Sequence, residues 1–343
     1  MKKERETNME LLRIVAMSCI VLYHLLGHVV IPHTTLPIYS ALQIPFHIGV
    51  PLFVLISGYF GIKVSFSGVV KLLLPLLFFY VPFELIGSQF FHYEGMRSAL
   101  KTLLIVSHTP FWFVRTYLWL FLFSPVINYY LKHADSTQRL YLLLTLGIIA
   151  VYFGTVYGDK SLYQGKNLVN FVFIYTLGNT ISYYKSYIEK TSTTLLLGGF
   201  VLLNLLTILL YLHYWESSLT NIIIQLCFRY CSPFLLTNAV LLFCVFSKLR
   251  FHSVLVNKVA SSTFSMYIIQ ETPFVLYVVI TPLILSFCPF NNLLLSMAIL
   301  ILFTVVIMFV CLVIDWTAKP LFNIIVTKCT NSTINRFFRK ANI

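Results

Sequence analysis

Ten apolar stretches of about membrane-spanning length run through this sequence, and lipid admits few ways of folding such a chain. They lie at approximately 10–31, 46–62, 68–91, 112–131, 139–157, 168–184, 194–213, 219–247, 263–286 and 293–317. A helix needs about 20 apolar residues to cross the hydrocarbon. No water is available there, so each span must satisfy its own backbone hydrogen bonds as a helix. The second stretch is short; the eighth is long enough to tilt, or to break at Pro233. The expected fold is all-α, a polytopic transmembrane helical bundle of about ten spans.

Composition closes off the alternatives. Hydrophobic residues make up 59% of the 343 and charged residues only 10%, against about 45–50% and about 25% in soluble domains. A soluble fold has too little interior to hide that much apolar surface, and a disordered chain would be polar. Seven Cys are sparse for a disulfide scaffold. Cys227 and Cys231, four apart, read as packing residues. Neither a Walker nor a Rossmann glycine pattern occurs. His24 and His28 lack the intervening acidic residue of a metalloprotease helix, so no metal is expected.

The net charge of +13 would suggest nucleic acid in a soluble protein. No RNA-binding aromatic–basic motif accompanies it, so no nucleic-acid partner is expected. With the N-terminus inside, 17 Lys and Arg fall in cytoplasmic segments and four in outer loops (Arg97, Lys101, Lys160, Lys166). That is the positive-inside bias, and an even number of spans puts both termini in the cytoplasm. The basic N-terminus leads into a span-length apolar run with no small-x-small site, so it reads as a first span rather than a signal peptide. The expected organisation is one membrane-embedded domain over 1–325 and a basic cytoplasmic tail over 326–343.

Ionisable groups inside a bilayer cost about 2.5–3.5 kcal/mol each on insertion scales and mark function. The candidates are Arg13, His24, His28, His47, Glu84, Arg115, Arg229, Glu271 and Asp315. Arg13 and His24 are eleven residues apart, which is three helical turns plus about 20°, with a rise of about 16 Å. They therefore share one face of the first span, together with Glu10 and His28.

The opening RETNMELLRIVAMSCIVLYHLLGH carries an Arg, ten intervening residues and a His. It resembles the first span of the acyltransferase-3 family of integral membrane O-acyltransferases, most closely its Gram-positive members. The resemblance continues in FHIGVPLFVLISGYF (46–60), in FWFVRTYLWLFLFSPVINYYL (111–131), at Leu177-Gly178 and in TFSMYIIQETP (263–273). Two positions depart from the family pattern. Lys71 stands where the family has clustered Arg, and Gln270 stands where it has a second His.

The resemblance implies transfer of an acyl group, acetyl for choice, from cytoplasmic acyl-CoA to a hydroxyl of a cell-surface glycan across the cell membrane. It implies His24 and Arg13 as catalytic residues. His suits a general base near neutral pH, or could carry the acyl group as a covalent relay; the sequence leaves both open. Arg13, Lys63 and Lys71, at the cytoplasmic ends of the first three spans, would meet the CoA phosphates; ordinary positive-inside anchoring is the other reading of the two lysines. Trp112, Arg115, Tyr267 and Glu271 are the candidates for the acceptor side, with Arg115 alternatively pairing with Glu84. Ser57-Gly58 reads as helix packing and His47 as structural. The rival reading is a polysaccharide exporter or flippase, which would share the spans and buried charges; it would not depend on an acyl thioester.

Overall fold

The structure, a computed structural model, describes residues 6–91 and 111–340. The expected outer segment with Arg97 and Lys101 lies outside the described residues, as do Lys2, Lys3 and Arg5. Among the described residues every regular element is helical. The principal helices are α1 (Thr7–His24), α2 (Gly49–Phe60), α3 (Phe66–Pro75), α4 (Trp112–His133), α5 (Ser136–Gly147) and α6 (Leu168–Tyr183). They continue as α7 (Thr193–His213), α8 (Thr220–Phe228), α9 (Pro233–Ser247), α10 (Thr263–Glu271), α11 (Leu293–Thr330) and α12 (Thr333–Lys340).

Among the described residues seven helical segments are long and apolar enough to cross a bilayer, and a bent pair around Pro273 makes an eighth. All eight coincide with stretches read from the sequence. The remaining two stretches are also helical. α6 has only 16 residues, and α4 is diluted by polar side chains such as Arg115, Asn128 and Lys132. The first two runs extend beyond the sequence reading, to Thr7–His33 and Pro37–Phe60. The long eighth stretch does break at Pro233, which starts α9 at a position where its missing N–H costs nothing. The segment expected as a tail is helical: α11 runs on to Thr330 and α12 follows.

α1 is the axis of the bundle. Leu12, Ala16, Met17 and Val21 are fully buried, and α2, α9, α10 and α11 pack around it. By contrast α11 turns Leu302, Val305 and Phe309 outward, as a lipid-facing helix does. The tightest packing is between α2 and α6. A Cβ on Gly58 would stand 2.0 Å from the Tyr175 carbonyl oxygen, and one on Gly178 would stand 2.2 Å from that of Leu55. Small residues allow this backbone approach in lipid, as read for Ser57-Gly58.

Two irregularities shape the interior. Directly after His24 the backbone widens into a π-helical stretch, Leu25–Val30, a feature that recurs at functional sites. α10 ends at Glu271, and the chain resumes after Pro273 at an angle of 68°. Proline supplies no N–H to the ladder. The buried Glu84 carboxylate caps the break by accepting a hydrogen bond from the Phe274 N–H at 3.0 Å. Gly87 lets the same helix close on the Phe274 ring. Gly178→Ala is expected to force α2 and α6 apart, an overpacking cost of about 1–3 kcal/mol or more. The readout is a lower melting temperature in detergent and less protein in the membrane; unchanged values would show the interface to be slack.

Candidate active site

His24 is the last residue of α1 and Glu271 the last of α10. One ends where the helix widens, the other where it breaks. Their side chains meet, with Glu271 Oε2 2.6 Å from His24 Nδ1. A hydrogen on Nδ1 would lie between the two groups, and in the neutral ring that tautomer leaves Nε2 its lone pair. The terminal amide of Gln270, buried beside them, is 3.0 Å from the same nitrogen. The nitrogen is the end placed there; the two ends are alike in shape, and a proton on Nδ1 would call for the oxygen instead. His28 is the next ring along α1's axis, 5.6 Å from His24 between centroids. Its Nδ1 is 3.4 Å from the Tyr277 hydroxyl.

Three spaces line up along α1. The first, about 270 Å³, is bordered by Arg13, Ser57, Phe113, Tyr117 and Thr263. Arg13 pairs there with Glu10 at 2.7 Å, and Ser57 Oγ bonds to the Tyr117 hydroxyl at 2.8 Å. The third, about 540 Å³, lies at the other end, bordered by His24, His28, Trp112, Lys166, Tyr230 and Glu271. Between them is a gap of about 10 Å³, walled by His24, Trp112, Phe113, Tyr230 and Tyr267, at the lower limit for a single water. Phe113 borders the first space and the gap; His24, Trp112 and Tyr230 border the gap and the third. His24 thus stands at a constriction between two cavities opening toward opposite ends of the bundle.

The structure brings His24, Trp112, Tyr267 and Glu271 together at this constriction and sets Arg13 on the opposite cavity. Three other candidates fall elsewhere. Lys63 borders a separate cavity with Lys132 and Arg139. Lys71 is exposed on α3, while its neighbour Leu72 faces the Arg13 cavity. Arg115 lies beside Trp119, its guanidinium 5.8 Å from the ring. It does not pair with Glu84, whose carboxylate is taken up at the helix break. The remaining intramembrane charges have protein partners of their own. Asp315 pairs with Lys319 at 3.3 Å, and the Arg229 guanidinium bonds to the Gly154 carbonyl. His47 is buried, stacked on Tyr23 with 4.7 Å between ring centroids.

Sequence reading missed Tyr23, Tyr230 and Lys166. Two are tyrosines in a chain with 21 of them, and Lys166 read only as a loop charge. Lys166 reaches over the Trp112 ring at 5.4 Å and the Tyr230 ring at 5.9 Å. Burial lowers its ammonium pKa, and the Glu271 charge opposes that shift. His24, His28 and Glu271 each offer one donor atom, all within 4.8 Å of one another, a set of the kind that ligates divalent ions. The 2.6 Å between Nδ1 and Oε2 is nonetheless a hydrogen-bond separation. Two ligands on one zinc ion would stand roughly 3.3 Å apart, from bonds of about 2.0–2.1 Å at the tetrahedral angle.

An imidazole backed by a carboxylate, at the meeting point of two cavities, is equipped for proton transfer. Comparison with known proteins supplies the reaction class, because residues 6–316 match the family model for the acyltransferase-3 acyltransferase domain. The chain belongs to the acyltransferase-3 family. It is therefore a multi-pass membrane acyltransferase that acts on hydroxyl groups and does not transfer amino-acyl groups. Neither a curated protein nor a solved structure gives a significant match. In this acyltransferase the two cavities are expected to be reachable from opposite sides. Gln164→Cys should react with an impermeant maleimide on intact cells, and Ser57→Cys only after permeabilisation. Labelling of both from one side would overturn the two-ended arrangement.

Proposed function

We propose that this acyltransferase crosses the bacterial cytoplasmic membrane ten times with both termini inside. It transfers an acyl group, acetyl for choice, from cytoplasmic acyl-CoA to a hydroxyl of a cell-surface glycan. The observation that carries the reading is the His24–Glu271 pair at the constriction between two cavities. A donor entering past Arg13 and an acceptor entering past Trp112 would meet at one imidazole. The 17-to-4 distribution of Lys and Arg supports the orientation.

His24 acts as general base in this reading. Nε2 takes the proton of the acceptor hydroxyl as its oxygen attacks the thioester carbonyl. The new C–O bond forms, the C–S bond breaks, and the proton passes from the imidazolium to the departing sulfur to give free CoA. Glu271 fixes the tautomer and stabilises the transient imidazolium, the role a carboxylate plays behind histidine in hydrolytic triads. Arg13 attracts the donor's phosphates, with Lys63 and Lys71 adding positive charge at the same face. Trp112, Tyr267 and Lys166 offer the acceptor aromatic faces and one cation.

The test uses the full chain in nanodiscs, with thiol release from acetyl-CoA followed by colour reaction and glycan O-acyl content by NMR. His24→Gln and Glu271→Gln should each lose about 10²–10⁴-fold, the typical worth of acid–base catalysis. Arg13→Lys should retain part of the activity that Arg13→Ala loses, because the charge stays and the fork goes. His28→Gln should be much milder. Full activity in His24→Gln would sink the assignment, and glycan export without thioester consumption would favour the exporter. Labelled acetyl-CoA without acceptor should leave no hydroxylamine-sensitive label on the protein; such a label would replace the base by a covalent relay.

A further inference from the structure

A separate polar cavity, of about 330 Å³, lies between the turn after α2, the end of α4 and the start of α5. Its polar border consists of Lys63, Asn128, Lys132, Arg139 and Asn179. It shares no bordering residue with the Arg13 cavity. Three cations face it and, among the described residues, no carboxylate does. The nearest acid in sequence, Asp135, is exposed and occupied as the cap of α5, accepting from the Gln138 N–H at 2.8 Å.

The frame is rigid. Gly61 ends α2 with φ +72°, a turn that favours glycine. The next residue is clamped: the Tyr175 hydroxyl accepts from the Ile62 N–H at 2.8 Å and donates to Asn128 Oδ1 at 2.7 Å. Asn128 in turn donates to the Ile62 carbonyl at 2.8 Å. This fixes the root of Lys63. Arg139 is 6% exposed. Its guanidinium donates to Asn179 Oδ1 at 2.7 Å and to the Leu131 carbonyl, and lies 4.3 Å from the Tyr183 ring centroid. Its Nε is buried with no acceptor among the described residues.

Positive-inside anchoring accounts for lysines at a membrane edge. It does not account for a buried guanidinium, pinned by two acceptors and a ring, facing the same cavity as two lysines. Like charges gathered there repel unless an anion enters. A planar guanidinium suits phosphate oxygens, and lysines add point charge. Beside the cavity, α4 exposes Leu122, Val126 and Tyr129, so a ligand could arrive from lipid as well as from water.

We propose that this cavity binds a phosphate group, either an anionic phospholipid headgroup or a phosphate of CoA. The CoA source rests on the acyl-CoA reading above; the lipid source does not. The full-length protein in phosphatidylcholine nanodiscs is titrated with phosphatidylglycerol, followed by native mass spectrometry, and separately with CoA by calorimetry. Lys63→Gln/Lys132→Gln carries the test because both side chains are exposed and their loss leaves the packing alone. At about 1 kcal/mol per membrane-proximal lysine, the double variant should weaken the true ligand about thirtyfold. Weakened phosphatidylglycerol with unchanged CoA identifies the headgroup; the converse identifies the donor. Arg139→Gln should reproduce the loss, and Arg13→Ala should leave phosphatidylglycerol retention as in wild type. If wild type binds no CoA, the donor reading fails and the lipid titration alone decides. If the double variant binds every wild-type ligand with unchanged affinity, or wild type binds neither probe, the proposal is overturned.

Discussion

A carboxylate 2.6 Å from an imidazole nitrogen, inside an apolar bundle, holds only as a pair. Glu271 alone would face the cost of an unpaired charge in a low dielectric. Set against each other, the two groups offset that cost, and the constriction can be narrow and still polar. Both residues sit at helix ends, where the backbone departs from the regular α ladder. A continuous helix past Pro273 would leave Glu271 without the break that frees this end of α10. The 68° bend depends in turn on Glu84, which takes up the Phe274 N–H. One intramembrane carboxylate thus supports the backbone that presents the other. Non-helical backbone at membrane depth is tolerated only where protein or a wet cavity satisfies it, and both conditions meet here.

The sequence made some of this legible and hid the rest for physical reasons. Arg13 and His24 could be set on one face because an α-helix has a fixed period, and α1 stays α-helical from one to the other. Length and hydropathy located the helices, since lipid enforces both. Pro233 marked a break because proline acts locally. Tertiary pairings were not legible. The local pattern put Glu271 near Tyr267, yet its meeting with His24, 247 positions away, depends on how α1 and α10 pack. Lys63 and Arg13 looked alike as cations at neighbouring span ends, and they border different cavities because the turn at Gly61 carries Lys63 toward α4 and α5. Tyr230 and Lys166 were invisible because neither residue type is rare enough to stand out.

The two cavities are chemically unequal. The Arg13 side holds one ion pair and hydroxyls from Ser57 and Tyr117. The far side is larger and mixes aromatic rings with Lys166, His28 and Glu271. An extended, phosphate-bearing donor with a thin arm fits a small space that narrows to a gap. A glycan fits a wider space with aromatic faces and polar groups. On the proposed donor reading, a gap of about 10 Å³ would keep bulk water from the thioester and disfavour hydrolysis relative to transfer.

Gln270 gains a reason from the same geometry. The family places a second histidine there, and the structure puts the residue at that position against His24 itself. On the general-base reading, with Glu271 against Nδ1, His24 needs no further proton carrier on that side. What the buried position does need is a group that hydrogen-bonds without bringing a charge into the bundle, and an amide does that. A second imidazole, if protonated, would set a positive charge beside the imidazolium that the proposed general-base step forms on His24, and oppose it. Glutamine leaves the Glu271 carboxylate as the charged neighbour of the ring, the arrangement the proposed general-base step requires.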